Sequence, residues 1–96
     1  MPSYKNPEKE FLKAVGANIR QLRMEKGFTL EQLGVDIGLD KSNMHRIEQG
    51  RNITILTLLK IAVFLDTDPH ELLLTDIQIS QEQMDVYVAG KKRKQI

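Results

Sequence analysis

With 96 residues, 41% of them hydrophobic, the chain has the material for one small domain and not for a large multi-domain enzyme. It contains no cysteine, so packing must supply the stability that disulfides or thiolate-bound metals give other small proteins. Fourteen basic against 13 acidic residues leave a net charge of +1, short of the balance expected of a nucleic-acid binder, yet the signs are segregated: residues 1–52 sum to +2, 53–90 to −5 and 91–96 to +4.

In chain order, residues 1–9 hold two prolines and no periodicity, and read as a mobile arm. Phe11, Leu12, Val15, Ile19 and Leu22 recur at three- and four-residue steps, which predicts an amphipathic helix over 10–25, ended by Gly27. Thr29 followed by Gln32 is a capping-box pattern, and Leu30, Leu33 and Ile37 give the next short helix its apolar face before Gly38. Asp40 is the expected N-cap of a third helix that turns Met44 and Ile47 inward and stops at Gly50. Thr54 caps a fourth, running to about Leu65. There Leu58, Leu59, Ala62, Val63 and Leu65 are crowded enough to predict burial on most sides and a central place in the core.

Asp68-Pro69, an N-cap acid before a proline, starts a short fifth helix ending at Leu74. Beyond Thr75 two patterns compete. Asp76–Ile79 and Asp85–Val88 alternate like strands, while Ser80 with Gln83 is a capping box leading into a helix over 81–89, the reading favoured here. Lys91–Lys94 reads as a solvated basic tail. The expected architecture is all-α: a compact five-helix domain over 10–74, preceded by the arm and followed by an extension over 75–96.

Two short helices about the turn Gly38-Leu39-Asp40 have the geometry of a helix-turn-helix, whose second helix can enter a major groove. With Met44 and Ile47 facing the core, the opposite face of that helix reads Lys41, Ser42, His45, Arg46, Gln49. All five can donate hydrogen bonds, which suits guanine O6 and N7 or phosphate oxygens. The plainer alternatives are a solvated helix-start lysine for Lys41 and a rim position for His45.

The stretch from Val15-Gly16 through Leu73 resembles the phage-repressor and Cro-like helix-turn-helix family, often called the XRE family. The resemblance lies in Ile19-Arg20-Gln21-Leu22-Arg23, Gly27-Phe28-Thr29-Leu30-Glu31-Gln32-Leu33-Gly34, Ile37-Gly38-Leu39-Asp40, Arg46-Ile47-Glu48-Gln49-Gly50 and Leu58-Leu59-Lys60-Ile61-Ala62 with Leu65. Three positions depart from the family pattern. Gly34 stands where alanine is usual, Leu30 where a glutamine often touches phosphate, and Asp40 where serine or threonine is common.

The resemblance implies a repressor-like DNA-binding fold and a sequence-specific transcriptional regulator, most simply a repressor. Lys41, Ser42, His45 and Arg46 are then the base-contacting candidates. Thr29, Asn43, Arg51, Asn52 and Arg20 are the backbone-contacting ones, with Asn43 equally readable as a brace for the turn and Arg20 as an ordinary exposed arginine. It also implies that Arg23 pairs with Glu48 to tie the first helix to the third, which takes Arg23 out of DNA contact and Glu48 out of catalysis.

One short recognition helix offers few base contacts, so a homodimer on a palindromic operator is expected, with half-sites about 34 Å apart. Leu72, Leu74, Ile77, Ile79, Met84, Tyr87 and Val88 are the candidate dimer contacts, unless they only cap the core. The alternative function is a protein-interaction module, antitoxin-like or an accessory subunit, whose acidic 66–85 region binds a basic partner.

His45 and His70 fall in no metal-binding spacing and no glycine-rich phosphate loop is present, so no enzyme activity, metal or cofactor is expected. No run approaches the roughly 18 apolar residues of a membrane span, and Met1–Asn6 lacks a signal-peptide core. The expected location is the cytoplasm of a prokaryotic cell, with a phage gene as a possible source.

Overall fold

The computed structural model describes residues 6–87. Six helices run in the order α1 (Pro7–Glu25), α2 (Leu30–Ile37), α3 (Lys41–Glu48), α4 (Ile55–Phe64), α5 (Pro69–Leu73) and α6 (Gln81–Tyr87). No strand occurs among the described residues. The capping box favoured over alternation in the last segment does form: Ser80 Oγ accepts from Gln83 N, and Gln83 Oε1 accepts from Ser80 N. Residues 1–5 of the expected arm, the end of the expected last helix at 88–89, Val88 and the basic Lys91–Lys94 lie outside the described residues.

The first helix starts earlier than its apolar spacing suggests. Asn6 caps it through a 2.8 Å bond from Glu8 N to Asn6 Oδ1, and Pro7 takes the first turn, where its missing N–H costs nothing. Residues 7–9 therefore belong to the helix and not to an arm. Phe11 lies on the outer edge of the apolar stripe, 36% exposed, while Val15 and Ile19 are buried.

Val15, Ile19, Leu33, Met44, Ile47, Leu58, Ile61, Ala62, Leu65 and Leu72 form the core, and Phe28 and Phe64 close its edge with ring centroids 4.7 Å apart. Two glycines set the spacing. A Cβ on Gly16 would sit 2.6 Å from the backbone oxygens of Ile47 and Glu48, and one on Gly34 would collide with the carbonyl oxygen of Leu39. At Gly34 the cost in helix propensity, about 1 kcal/mol, is offset by this close approach of α2 to the turn.

Three further expectations require correction. Helix α4 is not buried on most sides: Leu58, Ile61 and Ala62 face inward, but Ile55, Leu56, Leu59 and Val63 are 85%, 69%, 45% and 70% exposed. With one layer of helices behind it, a ten-residue helix can bury only one stripe, and its surplus apolar residues face outward. Leu72 is a core residue, 1% exposed, and so is unavailable to a second chain. Asp68 occupies the N-cap of α5 without a side-chain capping bond; its carbonyl oxygen accepts from Glu71 N instead.

Candidate nucleic-acid interface

The turn between α2 and α3 is built from local chemistry. Gly38 caps α2, Leu39 N donates to Gly34 O at 2.8 Å, and Asp40 Oδ1 accepts from Asn43 N at 2.7 Å to open α3. At the other end of α2, both arms of the capping box form, with Thr29 N to Gln32 Oε1 at 2.8 Å and Gln32 N to Thr29 Oγ1 at 3.1 Å. The Thr29 amide is thereby occupied, leaving its hydroxyl as the donor it can offer a phosphate.

The back of α3 is pinned. Arg23 Nε and Nη2 meet Glu48 Oε2 and Oε1 at 2.6 and 3.0 Å, a two-pronged pairing, while Arg23 Nη1 donates to Phe28 O at 2.8 Å. The Glu48 side chain is 1% exposed. Hydrogen bonding to Glu48 raises the Arg23 guanidinium above its ordinary pKa. A cation whose folded-state pKa is raised contributes its stability in full below the unfolded value and loses it only as pH rises through the folded one. For an arginine that window lies far above neutrality, so the arginine side of this tie is insensitive to physiological pH.

The front of α3 is turned to solvent. Lys41, Ser42, His45, Arg46 and Gln49 are all exposed and lie on one face. Lys41 Nζ reaches Glu31 Oε1 at 3.9 Å, an exposed and therefore weak pairing across the turn. Of the flanking candidates, Arg51 and Asn52 are exposed in the loop after α3, and Arg20 is exposed on α1. Asn43 is half-buried and engaged from two sides: its Oδ1 accepts from Arg51 Nη1 at 2.8 Å and from Arg46 Nη1 at 3.4 Å.

Two features escape sequence reasoning. Asn18 Nδ2 donates to Leu72 O at 3.0 Å and Leu74 O at 2.7 Å, tying the end of α5 to α1. A polar residue three positions after Val15, on the inward stripe of α1, is its one sequence signal. The second is the Asn43 contact with Arg51, which depends on the path of the loop. His70 pairs on the surface with Glu71 at 3.2 Å. Among the described residues no group of His, Asp and Glu is arranged to hold a metal, and no helix is long and apolar enough to cross a membrane.

A helix-turn-helix domain family matches residues 14–74 of the chain. The ImmF control region 10 kDa protein of Bacillus phage phi105 is 31% identical over 84 residues, which are 86% of this chain and 93% of the phage protein. The crystal structure of the restriction-modification controller protein C.AhdI from Aeromonas hydrophila superposes with a TM-score of 0.65 at 37% identity, covering 69% of this chain and 97% of that one. The biofilm master regulator SinR, crystallised in complex with DNA, superposes with a TM-score of 0.58 at 37% identity, covering 62% and 98%.

Proposed function

The chain belongs to the helix-turn-helix domain family, and from that membership we propose that it is a repressor that inserts α3 into the major groove of a palindromic operator as a homodimer. It is a DNA-binding transcription regulator, as its relatives are. The observation that carries the mode of binding is the division of α3. Arg23 and Glu48 fix the back of the helix at its angle to α1, and Lys41, Ser42, His45 and Arg46 stand exposed in front. Such a helix presents its first turns to base edges while its flanks hold phosphates. In this arrangement Thr29, Arg51, Asn52 and Arg20 meet the backbone, and they position without reading sequence.

In this reading the second copy docks on the outer stripe of α4. One eight-residue recognition helix supplies too few base contacts for tight selective binding, so a second half-site is needed. Ile55, Leu56, Leu59 and Val63 form an exposed apolar patch on a single helix, where a self-complementary contact between two copies would remove it from water. Leu74 and Ile79, exposed in the segment after α5, remain candidates to extend it.

The test is a mobility shift with genomic fragments at two salt concentrations, coupled to sedimentation of the free protein. Retardation that resists added competitor DNA, by a protein sedimenting as a dimer, is the expected result. Val63→Asp should sediment as a monomer that still unfolds cooperatively and lose at least about 10-fold in affinity. Absence of retardation at low salt, with a protein partner recovered through the acidic 66–85 region, would favour the interaction-module reading instead.

A further inference from the structure

We propose that Asn43 is a positioning residue that sets the two arginines of the interface before DNA arrives, Arg46 toward the bases and Arg51 toward the backbone. The inference rests on the DNA-binding reading above. Asn43 Oδ1 is the shared acceptor, at 2.8 Å from Arg51 Nη1 and 3.4 Å from Arg46 Nη1. An amide oxygen has two lone pairs, so it can serve both guanidinium groups at once. Asn43 itself is held from behind, since its main-chain N–H donates to Asp40 Oδ1 at 2.7 Å. The loop is folded back in the same place, with Arg51 N donating to Arg46 O at 3.0 Å. Arg51 and Asn43 also line one groove with Asn52, Thr54 and Thr57.

The physical effect is preorganisation. A free arginine side chain carries considerable rotamer entropy, which binding would otherwise remove at the interface. Ordering Arg51 against Asn43 removes part of that cost in advance. Two guanidinium groups drawn to one oxygen also repel each other, and a phosphate entering beside them relieves that repulsion. An aspartate would hold the arginines more strongly but would cancel the charge they offer to phosphate; a neutral amide orders them and leaves the charge intact. Because one residue holds both, backbone register and base reading are coupled.

A double-mutant cycle on the full chain tests this, using the operator duplex selected by the wild-type protein and the same duplex altered at one conserved base pair. Asn43→Ala is expected to weaken operator binding about 5-fold and Arg51→Ala about 10-fold, while the double variant loses only about 20-fold, because the part of the Asn43 effect that runs through Arg51 is already gone and only the part through Arg46 remains. Asn43→Ala should also narrow the discrimination between the two duplexes, through Arg46, with its melting temperature unchanged. Losses that multiply to about 50-fold would make Asn43 an independent phosphate contact and overturn the proposal. So would a lowered melting temperature with discrimination intact, which would assign Asn43 to the fold alone. Failure of the wild-type protein to select any duplex would instead overturn the DNA-binding reading, and this inference with it.

Discussion

The two faces of α3 obey opposite rules although they share eight residues. On the inner face, Met44 and Ile47 are packed and Glu48 is matched bond for bond by Arg23; among the described residues no buried side-chain polar atom lacks a partner. The outer face is polar and exposed, and its contacts with the rest of the chain are long or weak, such as the 3.9 Å approach of Lys41 to Glu31. The inner face commits its hydrogen-bonding capacity to the fold, and the outer face leaves most of its own open to solvent. Rigidity behind and availability in front are what the proposed reading head requires.

The sharpest break of that comparison is Glu48→Ala. It strands a partly buried guanidinium and should cost about 3 kcal/mol or more of stability, read by chemical denaturation. In a domain of this size that is a fall of roughly 12 °C or more in melting temperature. A loss below about 1 kcal/mol would mean that the pair does not hold the helix. Gly16→Ala should follow, at about 1–3 kcal/mol, because the added methyl meets the backbone oxygens of Ile47 and Glu48 at 2.6 Å and must push α3 away from α1.

On the outer face the effect should move from stability to recognition. Arg46→Ala should leave stability within about 0.5 kcal/mol of wild type and lower operator selectivity about 10-fold, measured by competition between operator and random duplex. Smallest in its effect on selectivity, Arg51→Ala should weaken operator and random DNA alike, about 10-fold each, and reduce the salt slope of binding by about one. If Arg46→Ala and Arg51→Ala affected every sequence equally, the division between reading and positioning would fall.

How far the sequence alone reaches follows the range of each interaction. The capping groups of Thr29, Asp40 and Thr54 act over three residues, so they are legible, and the helices they open lie where spacing puts them. Asn6-Pro7 is just as local, but two prolines in nine residues read as disorder when one of them is a helix start. The Arg23 and Glu48 pairing spans 25 positions and was legible only through family resemblance. The exposed stripe of α4 was not legible, because apolar residues on both sides of a helix look the same whether they face a core or a partner. The contact between Asn43 and Arg51 needed the loop after α3 to be traced before it could be seen.

The net charge of +1 is explained by the same division: Arg23 and Glu48 cancel inside the fold, and the acidic residues from Asp66 onward lie after α4, outside the helix-turn-helix. The surface proposed to meet DNA is then a small positive patch, on which selectivity would have to come from base contacts. The most direct test is selection of bound duplexes from a random pool by the wild-type chain and by Arg46→Ala in parallel. The account predicts a palindrome with half-sites about one helical turn apart for the wild type, and the same palindrome relaxed at one position in each half for the variant. An identical selected sequence from both proteins would contradict it.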